Sequence, residues 1–139
     1  MQSRPLESFP VNTRFKLSAL WTGVMFCYIY GDYFELYVPG KVEGLISGQN
    51  LLDSPARLFM VSFILVIPAL LIFLSLLVKH SLCRWLNIGA GIFFTLFTLL
   101  VGMASFRPWY SFYVFLAFLE AIITATIVWQ AIKWPREQQ

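Results

Sequence analysis

Apolar residues in this chain come in four long blocks with short polar breaks between them. The first runs from Lys16 to Val38, with Asp32 and Glu35 near its far end. The second covers Leu58 to Val78, the third Trp85 to Phe106 and the fourth Trp109 to Trp129. Each is close to the roughly 20 residues that a helix needs to cross about 30 Å of hydrocarbon. The blocks lack the strict alternation of barrel strands, and in lipid every backbone N–H and C=O must find a partner without water. The pattern therefore predicts an all-α fold: a membrane-spanning antiparallel four-helix bundle in one domain, with spans near 16–38, 57–79, 85–106 and 109–133.

The breaks carry their own signals. Pro39 to Ser54 is the longest connector, and its Val42, Leu45, Ile46, Leu51 and Leu52 predict a short helix lying at the interface, weakened by Gly44 and Gly48. Ser54 and Pro55 read as N-cap and first residue of the second helix, and Pro108 reads as the opening of the fourth. Pro68 falls inside the second helix, where it removes a backbone hydrogen bond and predicts a bend.

Composition fits this class. With 59% hydrophobic and 12% charged residues, the chain lacks the polar surface of a soluble domain. The polar leader Met1 to Arg14 is long, no small-residue cleavage pattern follows, and the first block contains acids, so a retained span is expected there. Charge orients the spans. Arg4, Arg14 and Lys16 precede the first, Lys79 and Arg84 separate the second and third, and Lys133 and Arg136 follow the fourth. The opposite side holds Lys41, Arg57 and Arg107 among Asp32, Glu35, Glu43 and Asp53. The positive-inside rule places both termini in the cytoplasm and the interfacial helix in the first extracytoplasmic loop. Trp85, Trp129 and Trp134 mark the cytoplasmic boundary; Tyr33, Tyr37, Trp109 and Tyr110 mark the other. The net charge of +3 is thus a topology signal, divided among short segments, and no nucleic-acid partner follows from it.

Glu120 is the one charged residue between Trp109 and Lys133. A carboxyl at that depth must be neutral, paired, or facing an internal cavity. At 100° per residue Tyr113, Ala117, Glu120 and Thr124 form one stripe, widened by Ala121 and Ala125, opposite Phe115, Phe118, Ile122 and Trp129. Small residues let helices approach closely, so the stripe is expected to face protein and the bulky side lipid. The third helix has a similar stripe of Asn87, Gly91, Thr98, Gly102 and Ser105. The first offers Trp21, Met25, Tyr28, Asp32 and Glu35, and the second Ser62 and Ala69. At about 1.5 Å per residue, Glu120 lies roughly 16 Å and Asp32 roughly 9 Å below the outer ends of their helices. Asp32, Glu35 and Glu120 therefore form a descending series of carboxylates, with Arg57 as the expected cationic partner of Asp32 or Glu35. Two readings compete. Glu120 either handles protons or cations with Asp32, Glu35 and Arg57, or is a protonated packing residue that donates to Thr98 or a carbonyl. Tyr28, Asn87, Thr98 and Thr124 are the candidate polar network; Asn87 also reads as a hydrogen bonder at the start of the third helix.

Other chemistry is sparse. His80 is the single histidine, expected at the end of the second helix, where a cation complements the dipole. Cys27 is expected deep in the first helix and Cys83 in a cytoplasmic loop, too far apart to bridge. No cofactor, metal site or enzyme activity is expected from this set, which lacks Cys-x-x-Cys, G-x-S-x-G and phosphate-cradling motifs.

Several motifs carry a resemblance. Leu17-Ser-Ala-Leu-Trp21 is followed by Met25-Phe26-x-Tyr28-x-Tyr30-x-Asp32-Tyr33-Phe34 and Val38-Pro39-Gly40-Lys41. Further along stand Ile67-Pro68, Leu74-Ser75-Leu76, Arg84-Trp85-x-Asn87-Ile88, Glu120 and Lys133-Trp134-Pro135. With these the chain resembles a family of small bacterial four-helix integral membrane proteins of unknown function, over nearly its whole length. Gln130 stands where that pattern has tyrosine, and the outer loop is shorter. The resemblance implies a four-helix bundle in the bacterial cytoplasmic (inner) membrane and implies no activity.

Three functions are open at this point. One is an oligomeric conduit or carrier handling protons or cations at Glu120. Another is a non-catalytic accessory or assembly subunit docking onto a larger membrane complex through its small-residue faces. The last is a pigment- or lipid-binding helper using the many aromatic residues. The lipid bilayer is a partner in all of them.

Overall fold

A computed structural model of the chain describes residues 10–135, and among them every regular element is helical. Arg4 and Arg136 of the charge pattern lie outside the described residues. The elements are α1 (Thr13–Glu35), α2 (Lys41–Ile46), α3 (Pro55–Leu77), α4 (His80–Ala104), a 3-10 turn (Pro108–Tyr110) and α5 (Ser111–Ile132).

Local chemistry explains most boundaries. Asn12 caps α1, its Oδ1 accepting from the Arg14 N–H at 2.9 Å. Ser54 caps α3 through the Arg57 N–H at 3.3 Å, with Pro55 following as expected. Gly40, in the left-handed region at φ 78°, turns the chain from α1 into α2. Pro108 opens the 3-10 turn, and α5 begins three residues later. Two arginines finish the helices on which they lean. Arg14 donates to the carbonyls of Leu76 (2.9 Å) and Val78 (2.7 Å) at the end of α3, and Arg84 donates to Ile132 O (3.2 Å) at the end of α5. Carbonyls there have no partner within their own helix, and a cation also suits the dipole.

Three helical segments, Pro55–Leu77, His80–Ala104 and Pro108–Ile132, are long and apolar enough to cross a membrane. The pattern led us to expect four. α1 matches the others in length at 23 residues, but Trp21, Tyr28, Tyr30 and Asp32 leave it less apolar. α4 starts at His80, five residues before the expected boundary, because Val78 and Lys79 alone separate it from α3. That earlier start corrects three expectations. His80 begins α4 instead of ending α3, and its ring meets Trp134 edge-on. Cys83 lies in the first turn of α4 and is fully buried. Asn87 is an interior residue, 1% exposed.

α5 packs on both α4 and α1, α1 packs on α3, and α3 touches α4 much less. The apolar core joins Leu17, Trp21 and Val24 of α1 to Leu71 of α3, Cys83 and Phe94 of α4, and Ile127 and Ala131 of α5. These positions lie toward the start of α1 and α4 and the end of α3 and α5, so the core concentrates at the end where α3 turns into α4. Trp21 meets Phe94 edge-on, with centroids 5.9 Å apart, an arrangement worth about 0.5–1.5 kcal/mol beyond its burial. A polar knot is set in the same layer: Trp21 Nε1 donates to Asn87 Oδ1 (2.7 Å), and Asn87 Nδ2 donates to Cys83 O (2.8 Å) and lies 3.2 Å from Ser75 Oγ.

α4 and α5 approach most closely at their small residues. A Cβ added at Gly91 would lie 2.6 Å from Val128 Cγ2 and 3.3 Å from Thr124 O, and one at Gly102 would lie 3.0 Å from Ala117 Cβ. The two stripes expected from the sequence thus meet each other. Ala125 is the exception on α5, being exposed, as Phe115, Phe118, Ile122 and Trp129 are. On α3 the expected Ser62 faces outward and returns its hydroxyl to Leu58 O; Pro68, Leu71 and Ser75 are buried instead.

Candidate functional site

At the end remote from the core the four long helices leave a cavity of about 380 Å³. Each wall follows from helical spacing. α1 contributes Cys27, Tyr28, Gly31, Asp32 and Glu35, one stripe of steps of three and four. Gly31 packs against the Tyr113 ring of α5, which lies 3.6 Å from where a Cβ would stand, an ordinary contact distance. Val61 and Leu65 of α3 face Phe97, Thr98 and Val101 of α4. Leu51 and Leu52, in the connector after α2, close part of the mouth.

Glu120 of α5 is the deep polar group. It is 6% exposed and lines the cavity, yet its carboxyl makes no hydrogen bond among the described residues. The expected bond to Thr98 is absent: that hydroxyl returns to Phe94 O at 2.9 Å, within its own helix. Thr124 donates to the backbone carbonyl of Glu120 (2.9 Å) and accepts from Thr95 (2.8 Å), so it braces α4 against α5 without touching the carboxyl. Tyr28 shares the cavity, and its hydroxyl, shielded from solvent, also has no partner among the described residues. The Tyr28 hydroxyl is thus a buried group without a partner, which costs about 1–3 kcal/mol, and the Glu120 carboxyl beside it opens onto the cavity.

Asp32 and Glu35 line the same cavity as Glu120. Their expected cation is different, however. Arg57 pairs with Asp53, one turn away on its own side of the loop, at 2.8 Å, and both are largely exposed. Glu35 instead receives Lys41, which the Gly40 turn brings back over the end of α1, and it also accepts from Tyr110 Oη at 3.2 Å. The sequence signal for Lys41 was the tight Pro39-Gly40 turn after Glu35; spacing within one helix does not show such pairs. Asp32 is exposed at the mouth and has no ion pair among the described residues. Asn87 belongs to the polar knot with Trp21, Ser75 and Cys83, outside the cavity. The predicted single network is therefore two separate systems: a knot satisfied within the core and an unsatisfied carboxyl in the cavity.

Among the described residues no three His, Cys, Asp or Glu side chains come together to hold a metal ion. Neither a curated protein nor a solved structure matches the chain. A sequence model of a family of unknown function (DUF6326) matches residues 7–139, nearly the entire chain. The chain belongs to that family.

Proposed function

We propose that the protein is a multi-pass carrier in which Glu120 binds and releases protons or cations. In this reading α1 crosses the membrane with the other three long helices, as a four-helix bundle in the bacterial inner membrane. Both termini lie in the cytoplasm, and α2 rests on the opposite interface. The distribution of cations supports that orientation: Arg14, Lys16, Lys79, Arg84 and Lys133 gather at the core end, against Lys41, Arg57 and Arg107 at the cavity end.

One observation carries the proposal: the Glu120 carboxyl lines a cavity, nearly buried and without a hydrogen-bond partner among the described residues. A packing carboxylate would draw hydrogen bonds from its neighbours, and the hydroxyl protons of Thr98 and Thr124, both nearby, go to backbone carbonyls instead. The packed layer of Trp21, Phe94 and Ile127 below the cavity favours a carrier over an open conduit, since access is at one end.

The test uses purified protein in liposomes, with imposed pH and cation gradients and an internal pH-sensitive dye. The native protein should dissipate a gradient, and Glu120→Gln should fall to the protein-free rate. Absence of flux from the native protein, or equal flux from the variant, removes the carrier reading. Co-extraction with a defined heterologous membrane complex would then favour the accessory-subunit alternative.

A further inference from the structure

We propose that the cavity takes an amphipathic organic cation, an ammonium centre held by Glu120 with an apolar or aromatic body filling the space above it. The inference rests on the reading of Glu120 as a cation-handling group and adds the class of substrate. Four observations lead there.

Size comes first. A cavity of about 380 Å³ falls at the small end of the roughly 300–1,000 Å³ typical of sites for organic ligands. A proton or a bare inorganic ion would leave most of it unfilled. An inorganic cation also needs several oxygen ligands, and among the described residues no three acidic side chains stand close enough together to hold a metal ion.

The wall is the second. Val61, Leu65, Phe97 and Leu116 present hydrocarbon, which a hydrated ion cannot use and an organic body can. Third is the sign of charge. Glu120, Asp32 and Glu35 all line the space, and Lys41, the one cation on its rim among the described residues, is engaged by Glu35. Carboxyls outnumber cations on this lining, which favours positive charge. Fourth, Tyr28 and Tyr113 place aromatic rings in the same cavity as Glu120, and ring faces attract ammonium groups by about 0.5–2 kcal/mol. A neutral apolar guest would fit the wall but leave the negative charge of the carboxyls without a counter-charge.

Purified protein in lipid nanodiscs is titrated with benzyltrimethylammonium, and binding is read by calorimetry. Neopentylbenzene, the neutral isostere in which carbon replaces nitrogen, serves as competitor. Protection of Glu120 from a hydrophobic carbodiimide, read by mass spectrometry, locates the ligand. The cation should bind and protect Glu120, and the isostere should not displace it. Glu120→Gln should weaken binding by at least about tenfold, and Glu120→Asp should retain more of it than Gln does. Displacement by the isostere overturns the proposal on the native protein alone, whatever the variants do. Unchanged binding by Glu120→Gln also overturns it. Failure of the ammonium to bind, while Glu120-dependent flux of protons or inorganic cations persists in liposomes, removes this substrate class and leaves the carrier reading intact. Failure of both removes both.

Discussion

Trp21 of α1 and Asn87 of α4 are joined across 66 positions of sequence by a buried hydrogen bond of 2.7 Å from the indole N–H to Oδ1. Asn87 also returns its amide to Cys83 O at 2.8 Å and lies beside Ser75 of α3. One side chain thus ties three helices together in the core. Asn87→Leu removes the acceptor and strands the indole N–H in the core, so it should destabilise the protein by about 1–3 kcal/mol. Trp21→Phe loses the same bond, and the double variant should cost less than the two single costs together. Unfolding in mixed detergent is the measurement. Full additivity would mean that the bond contributes nothing.

Two glycines two positions apart on α4 should respond in opposite directions. A Cβ at Gly89 meets nothing within 4 Å, so Gly89→Ala gains helix propensity alone and should stabilise by about 0.5–1 kcal/mol. At Gly91 a Cβ would sit 2.6 Å from Val128 Cγ2. Val128 is β-branched, with one strongly favoured rotamer in a helix, so it yields poorly. Gly91→Leu should push α5 away and cost about 1–3 kcal/mol. Equal effects at the two positions would show that α4 and α5 are not in close contact there.

Arg14 tests the helix-end interactions. Its guanidinium donates to two carbonyls at the end of α3, and a bond to a charged group is worth about 1.5–3 kcal/mol when buried. The site is partly exposed, so solvent screening lowers the figure. Arg14→Met should cost about 1 kcal/mol and speed amide hydrogen exchange around Val78 and Lys79 while leaving α5 unaffected. Arg84→Met should do the reverse, loosening the end of α5 through Ile132. Uniform exchange changes in both variants would argue that the arginines act only through net charge.

Periodicity made the helices and their facing sides legible in the sequence. The stripe of Ala117, Glu120 and Thr124 was readable because 3.6-residue spacing places small and polar side chains on one face. The matching Gly91 and Gly102 were readable for the same reason. Partners across helices were not, because they depend on how elements tilt and turn. Arg57 looked suited to Asp32 or Glu35, yet Asp53 is one helical turn away and takes it at less entropic cost. Lys41 reaches Glu35 only because Gly40 adopts a left-handed turn. Asn87 looked like part of a network around Glu120, since both lie on inward faces. Depth along the helix separates them: Asn87 lies two turns into α4 at the core end, and Glu120 faces the opposite half.

The two cysteines report on access to the cavity. Cys27 lines the cavity and is 7% exposed, whereas Cys83 is fully buried and its Sγ lies 3.3 Å from Ser75 O. Both are free thiols. A small neutral maleimide should enter the cavity and modify Cys27 in the native state, while Cys83 waits for local opening of the core. Single Cys27→Ser and Cys83→Ser variants assign the two rates. Because Cys27 shares its wall with Tyr28 and Gly31, an occupant of the cavity should slow its modification and leave Cys83 unchanged. Equal rates for the two thiols, or Cys83 reacting first, would mean that the cavity is closed to small molecules in the native protein. In that event Glu120 would be a sealed packing residue.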